Sequence, residues 1–155
     1  MTVPGMYREV NILIDADPEV VYDLVSDLSR MGEWSPENRG GEWVDGGSGN
    51  VGDRLLGHNK IGEYEWSVPV EVTVADRGQS FQFITSPDEE DGPYVRWTYN
   101  LSGSDEGTRL TEIWDVETLP GGLKKMNEEQ LAGRARAVEA AMNATLSGIK
   151  AAIEG

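Results

Sequence analysis

The stretch NEEQLAGRARAVEAAMNATLSGIKAAI, residues 127–153, decides the fold. Leu131, Ala135, Val138, Met142, Leu146, Ile149 and Ile153 recur at intervals of 4, 3, 4, 4, 3 and 4. That spacing puts all seven on one stripe of an α-helix. Asn127, followed by Glu128, Glu129 and Gln130, is a capping signal with acids near the positive helix end. At about 1.5 Å per residue the helix is roughly 40 Å long. An apolar stripe of that length must lie against something, and nearly everything upstream reads as β-strand. The predicted partner is one curved antiparallel sheet.

Tyr7–Ile14 opens as a half-buried strand, with Val10, Ile12 and Ile14 alternating with Glu9, Asn11 and Leu13. Asp17-Pro18 starts a helix, Asp17 as its cap and Pro18 at its first position, with Val21, Leu24, Val25 and Leu28 as the apolar face. Ser29–Trp34 is a second short helix, stopped by Ser35-Pro36. Asn38–Val44 is a strand, Asp45–Asn50 a mobile turn, and Arg54–Lys60 the third strand. The strongest period-two pattern is Tyr64–Ala75, where Tyr64, Trp66, Val68, Val70, Val72 and Val74 share a face. Pro69 has no amide hydrogen for a ladder and marks an edge or a bulge there. Ser80–Thr85 follows with Phe81 and Phe83 inward, then an acidic segment, Ser86–Pro93, expected to be exposed. Tyr94–Ser102 carries Val95, Trp97, Tyr99 and Leu101 on one face, and Thr108–Val116 carries Leu110, Glu112, Trp114 and Val116. No crossover helices separate the strands after Pro36, so the pairing is antiparallel. A twisted seven-stranded sheet should curl around the terminal helix and enclose a hollow.

The chain has 155 residues, the size of one domain spanning 1–155, and can bury a core without staples. It has no cysteine and a single histidine, His58, which excludes disulfides and Cys- or His-cluster metal sites, so no metal or other cofactor is expected. Thirteen basic against 28 acidic residues give a net charge of −15. Such a surface repels phosphate backbones and anionic lipid surfaces, so nucleic-acid binding and membrane insertion are not expected. Residues 1–17 hold no apolar run long enough for a secretory signal, and a cytoplasmic location is the expectation.

Several stretches together resemble a known family. They are Ile14–Leu28, Met31-Gly32-Glu33-Trp34-Ser35-Pro36, Val51–Asn59 followed by Trp66, and Gly107–Glu112. The chain resembles the polyketide cyclase/dehydrase and lipid transport family (SRPBCC), of the START-like or Bet v 1-like superfamily, and most of all its small single-domain actinobacterial members. The resemblance implies an α+β helix-grip fold. A curved seven-stranded antiparallel sheet would wrap a long C-terminal helix, with two short helices between strands 1 and 2. It also implies an apolar cavity used for a lipid, polyketide or similar hydrophobic molecule. Some relatives are cyclases that rely on polar side chains in the pocket, but no such catalytic set maps residue by residue onto this chain.

The candidate site follows from the inward faces. Trp66, Trp97 and Trp114 are cavity-lining candidates, with Phe83, Tyr99, Met126 and Met142 as further apolar contacts. Asn59 could bond a polar ligand head or hold its own hairpin. Glu112 lies on an apolar face, where desolvation would raise its pKa and suit it to acid–base work or to a hydrogen bond with ligand; a bulge or a salt bridge to Arg54 or Arg96 would remove it. His58 is the other acid–base candidate, but if Leu55 and Asn59 point inward, alternation puts it outside. Three functions stay open at this point: binding of a small hydrophobic ligand, a polyketide cyclase or dehydratase using Glu112 or His58, and an interaction module with a filled core. Monomer and homodimer are both open.

Overall fold

The structure is a computed structural model that describes residues 2–155. The chain runs β1 (Tyr7–Ile14), α1 (Pro18–Val25), a 3-10 turn (Leu28–Glu33), β2 (Asn38–Trp43), β3 (Arg54–Ile61) and β4 (Tyr64–Asp76), then β5 (Ser80–Thr85), β6 (Val95–Ser104), β7 (Gly107–Val116), a second 3-10 turn (Gly121–Leu123) and α2 (Glu128–Glu154). The seven strands form one sheet in the order β1-β7-β6-β5-β4-β3-β2, every pair antiparallel. Consecutive strands from β2 to β7 are neighbours joined by turns. The excursion through α1 carries the chain from one edge of the sheet to the other. This is the helix-grip architecture that the resemblance implies, with the antiparallel sheet that the spacing in residues 127–153 predicts as the partner of the helix.

α2 begins as its sequence dictates. Asn127 Oδ1 accepts from the Gln130 amide at 2.8 Å, and Gln130 Oε1 accepts from the Asn127 amide at 2.9 Å, a reciprocal capping box. Ala135, Val138, Met142, Leu146 and Ile149 are buried in the core, while Leu131 and Ile153, at the two ends of the stripe, are only partly covered. The helix packs chiefly on β1, with lesser contact to β7 and α1. Polar ties hold it on that side. Arg8 pairs with Glu139 at 2.9 Å, Lys150 donates to the Leu13 carbonyl at 2.7 Å, and Glu154 accepts from the Asp15 amide at 2.9 Å. Thr145, absent from the predicted stripe, is also buried.

Several local expectations are corrected. Asp17 stands at the cap position of α1 with extended backbone, but its side chain makes no capping hydrogen bond. The second short helix is a 3-10 turn that begins at Leu28. Val74 does not share the inward face of β4. Val72 pairs with Phe83 but Val74 pairs with Gln82, so Thr73 is an extra residue, and the slip turns Ala75, opposite Phe81, toward the core instead. Ser86 is buried, unlike the exposed acidic segment it opens, because its amide bonds the Pro69 carbonyl at 2.7 Å. That bond also shows which way Pro69 faces. Its missing N–H lies toward the β5 side, just before the β4–β5 pairing starts at Val70, so the β3–β4 ladder loses nothing. The turn at 45–50 is held by Asp53 Oδ2, which accepts from the amides of Ser48, Gly49 and Asn50.

Gly148 sets how close α2 comes to the 3-10 turn. A Cβ there would lie 2.6 Å from Trp34 Cβ and 2.7 Å from its carbonyl oxygen, atoms that no side-chain rotation can move. Alanine would gain about 1 kcal/mol of helix propensity. It would lose about 1–3 kcal/mol to overpacking, which prevails at these distances. Gly148→Ala is expected to lower the unfolding free energy in urea; an unchanged or raised value would show that α2 can shift away from Trp34.

Candidate functional site

The site grows from the β6–β7 pair. Its register runs without a slip from Val95↔Val116 to Ser104↔Gly107. The inward alternation of β7 is therefore unbroken, and Glu112 must point into the core between Leu110 and Trp114. It is 3% exposed. Across the ladder sits Tyr99, whose hydroxyl donates to Glu112 Oε2 at 2.9 Å. Glu112 Oε1 has no hydrogen-bond partner among the described residues. Neither expected cation reaches it: Arg54 is paired with Glu71 and Asp88, and Arg96 with Glu117.

Burial without a counter-charge favours the neutral acid. Desolvation raises the Glu112 pKa to about 8, opposed in part by the Tyr99 hydrogen bond. The Tyr99 phenol is raised well above its usual value by the same desolvation and by the adjacent carboxylate. At neutral pH Glu112 is mostly protonated. Because Oε2 accepts from Tyr99, the acid proton belongs on Oε1, a donor with nothing yet to bond.

Glu112 lines a hollow on the side of α2 away from β1. Three compartments adjoin there. The inner one, about 100 Å³, lies between Glu112, Tyr99, Phe83 and Trp97 of the sheet and Met142 and Thr145 of α2. The middle one, about 230 Å³, shares Asn59, Thr85 and Trp97 with it and adds Trp66, Tyr94 and Trp114. The outer one, about 420 Å³, opens beyond Trp66 past Leu123 and Met126. Small-molecule sites usually measure about 300–1,000 Å³, so the inner compartment alone is too small, and an occupant must extend into the middle one.

The predicted residues thus fall along one path. Glu112, Tyr99, Phe83 and Met142 stand at its inner end, Asn59 and Trp97 between inner and middle, Trp114 in the middle, Trp66 between middle and outer, and Met126 at the mouth, 37% exposed. His58 is elsewhere. Leu55, Gly57 and Asn59 point inward, which puts His58 on the outer face of β3. There Nδ1 lies 2.7 Å from Ser67 Oγ and Nε2 2.8 Å from Glu42 Oε2, a cross-strand network outside the three compartments. The position is the outer one that alternation gives when Leu55 and Asn59 point inward, away from the three compartments. Trp34 and Trp43 line none of the three compartments; the Trp34 indole N–H is spent on Met31 Sδ at 3.0 Å.

Glu37 and Arg134 were not anticipated. Arg134 donates to both Glu37 carboxylate oxygens, at 2.6 and 3.2 Å, tying α2 to the segment before β2. Their one sequence signal is that Arg134, Val138, Ala141 and Thr145 recur at 4, 3 and 4, a second stripe beside the core stripe, along the wall of the hollow.

Among the described residues, no group of His, Asp and Glu could hold a metal ion, and no helix is long and apolar enough to cross a membrane. Comparison with known proteins agrees with this geometry. The model of the family "Polyketide cyclase / dehydrase and lipid transport" matches residues 8–154. The chain belongs to that family. A polyketide-cyclase-like protein from Corynebacterium glutamicum is 31% identical over 98% of this chain and 94% of its own, with a TM-score of 0.67. Two more distant structures share the fold of this family member. One, from Nitrosomonas europaea, is 9% identical over 98% of this chain and 96% of its own, with a TM-score of 0.71. The other is the di-domain ARO/CYC StfQ of the steffimycin biosynthetic pathway, 11% identical with a TM-score of 0.74; the match covers 95% of this chain and 50% of StfQ. No protein of curated function matches the sequence.

The buried acid has a stability signature. Its folded pKa lies above the ordinary carboxylate value of 4.5. Between that value and about 8 the unfolded chain has lost the proton while the native state keeps it. Stability should therefore be fullest below the unfolded pKa and fall as pH rises through this window, by about 1.4 kcal/mol per pH unit at most. Urea unfolding of Glu112→Gln against the parent is expected to show a difference that swings in favour of the variant from pH 5 to pH 8. A difference independent of pH would show that Glu112 is not held neutral.

Proposed function

We propose that the protein binds a small, mainly apolar molecule in the inner and middle compartments, and that Glu112 anchors its one polar group. The observation that carries this is Glu112, whose Oε1 is buried without a partner among the described residues, in the wall of a hollow that Phe83, Trp97 and Tyr99 also line. An unsatisfied buried polar atom costs about 1–3 kcal/mol, and a ligand carbonyl accepting its proton would remove that cost. Apolar burial against Trp97, Trp66, Phe83 and Met142 would supply the affinity, about 25 cal/mol per Å² before association costs. The hollow argues against an interaction module with a filled core.

Gly57 offers a clean test. It lies in the wall of the inner compartment, and a Cβ there meets only ordinary contacts, 3.5 Å from Leu55 Cδ2 and 3.6 Å from the Val68 carbonyl. Gly57→Leu would grow into the hollow without breaking the sheet. The parent is expected to bind the neutral fluorescent probe N-phenylnaphthylamine, and the variant to lose at least tenfold in affinity (about 1.4 kcal/mol) while keeping its circular dichroism. A parent that takes up no probe, or a folded variant that binds as well, would overturn the reading.

Catalysis on such a ligand is a second reading, favoured by the Glu112 pKa of about 8, which suits a general acid near neutral pH. Glu112→Gln keeps a donor but cannot transfer a proton. A cyclase or dehydratase should lose turnover of a polyketide-like substrate in that variant and keep binding. Turnover that survives the change would reject the catalytic role.

A further inference from the structure

A fourth hollow, a groove of about 420 Å³, lies between α2 and the β3–β4 hairpin, on the far side of the Glu37–Arg134 ion pair from the aromatic path. Its charge runs against the rest of the molecule. The chain has 28 acids and 13 bases, yet the groove is lined by three cations, Arg39, Lys60 and Arg134, and one acid, Glu37. Glu37 is already matched by Arg134. Arg39 has no carboxylate within ion-pairing distance among the described residues, and Lys60 has only Glu65, at 3.9 Å. Arg39 therefore faces the groove without an ion-pair partner among the described residues, and Lys60 with one long pair. The α2 wall is made of small side chains, Ala137, Ala140 and Ala141, which leave room for a chain to lie against the helix. Glu37 and Ala141 also line the inner compartment, so groove and cavity share part of a wall.

We infer that this groove is a subsite for the carboxylate of an amphipathic ligand, held by Arg39 and Lys60, with the apolar part passing Glu37 and Ala141 into the aromatic compartments. A guanidinium fork matches a carboxylate in two parallel hydrogen bonds, and Arg134 already grips Glu37 in that way. The net charge of −15 does not forbid the anion. At physiological salt, charges more than about 8 Å away are largely screened, and the nearby cations dominate. The position of the apolar part rests on the proposed function above; the anion subsite rests on the groove alone.

The test compares decanoate with decanol, which has the same chain length and no charge, by displacement of N-phenylnaphthylamine at low salt. Two partly exposed cations are worth roughly fivefold together. The parent is expected to bind decanoate roughly fivefold tighter than decanol. That margin should shrink as sodium chloride is added and disappear in the double variant Arg39→Gln/Lys60→Gln, with decanol binding unchanged. Equal binding of the two by the parent, or a margin that survives in the variant, would overturn the subsite alone. Acetate competing as well as decanoate would show a bare anion site and overturn the amphipathic ligand. Failure of both decanoate and decanol to bind would overturn the cavity reading and the inference with it.

Discussion

α2 is held along one side of the sheet, and it is too narrow to cover the rest. A helix with its side chains is about 10–12 Å across. Seven strands at about 4.8 Å spacing make a surface close to three times as wide. The choice of side is made by chemistry. Arg8, the Leu13 carbonyl and the Asp15 amide, all on or just after β1, each hold a polar group of α2. Gly148 lets the helix touch Trp34 at the turn before β2. With α2 fixed there, the ground over β3–β6 must be filled by side chains or left hollow. Trp97, Trp114, Phe83 and Tyr99 fill part of it, and the compartments are what remains.

The hollow explains the state of Glu112. A carboxylic acid facing water would ionise near its ordinary value; one facing a cation would ionise more readily still. Glu112 faces neither, and its only partner among the described residues is the Tyr99 hydroxyl. Burial then decides, and the neutral acid prevails at pH 7. In the proposed function the same location gives the side chain its use. A neutral acid buried without a partner is costly in the empty protein, and a ligand carbonyl that accepted from it would remove that cost. The cost at the folding stage and the gain at the binding stage have one physical origin.

Most of the fold was legible because two periodicities are strong: the helical stripe from Leu131 to Ile153 and the alternation along β4, β6 and β7. The inward aim of Glu112 was legible only conditionally, since a single bulge in β7 would have turned it out. Such a bulge does occur, but in β4, where Thr73 is the extra residue and Val74 loses its place to Ala75. Nothing in a run of alternating valines marks that spot. The Glu37–Arg134 pair was illegible for a different reason. Both are ordinary surface residues by type, and 97 positions separate them in the chain. The spacing of Arg134, Val138, Ala141 and Thr145 was the one available sign, and the apolar stripe beside it is the stronger signal. His58 followed simple alternation: with Asn59 inward, it had to be outside.

The account depends on water being kept from the floor of the hollow, where Glu112 stands. The most direct measurement is an NMR titration of the Glu112 side-chain carboxyl carbon in the intact protein. The account predicts a midpoint near 8. A midpoint near the ordinary 4.5 would mean that the carboxyl is hydrated or paired, and would contradict the account.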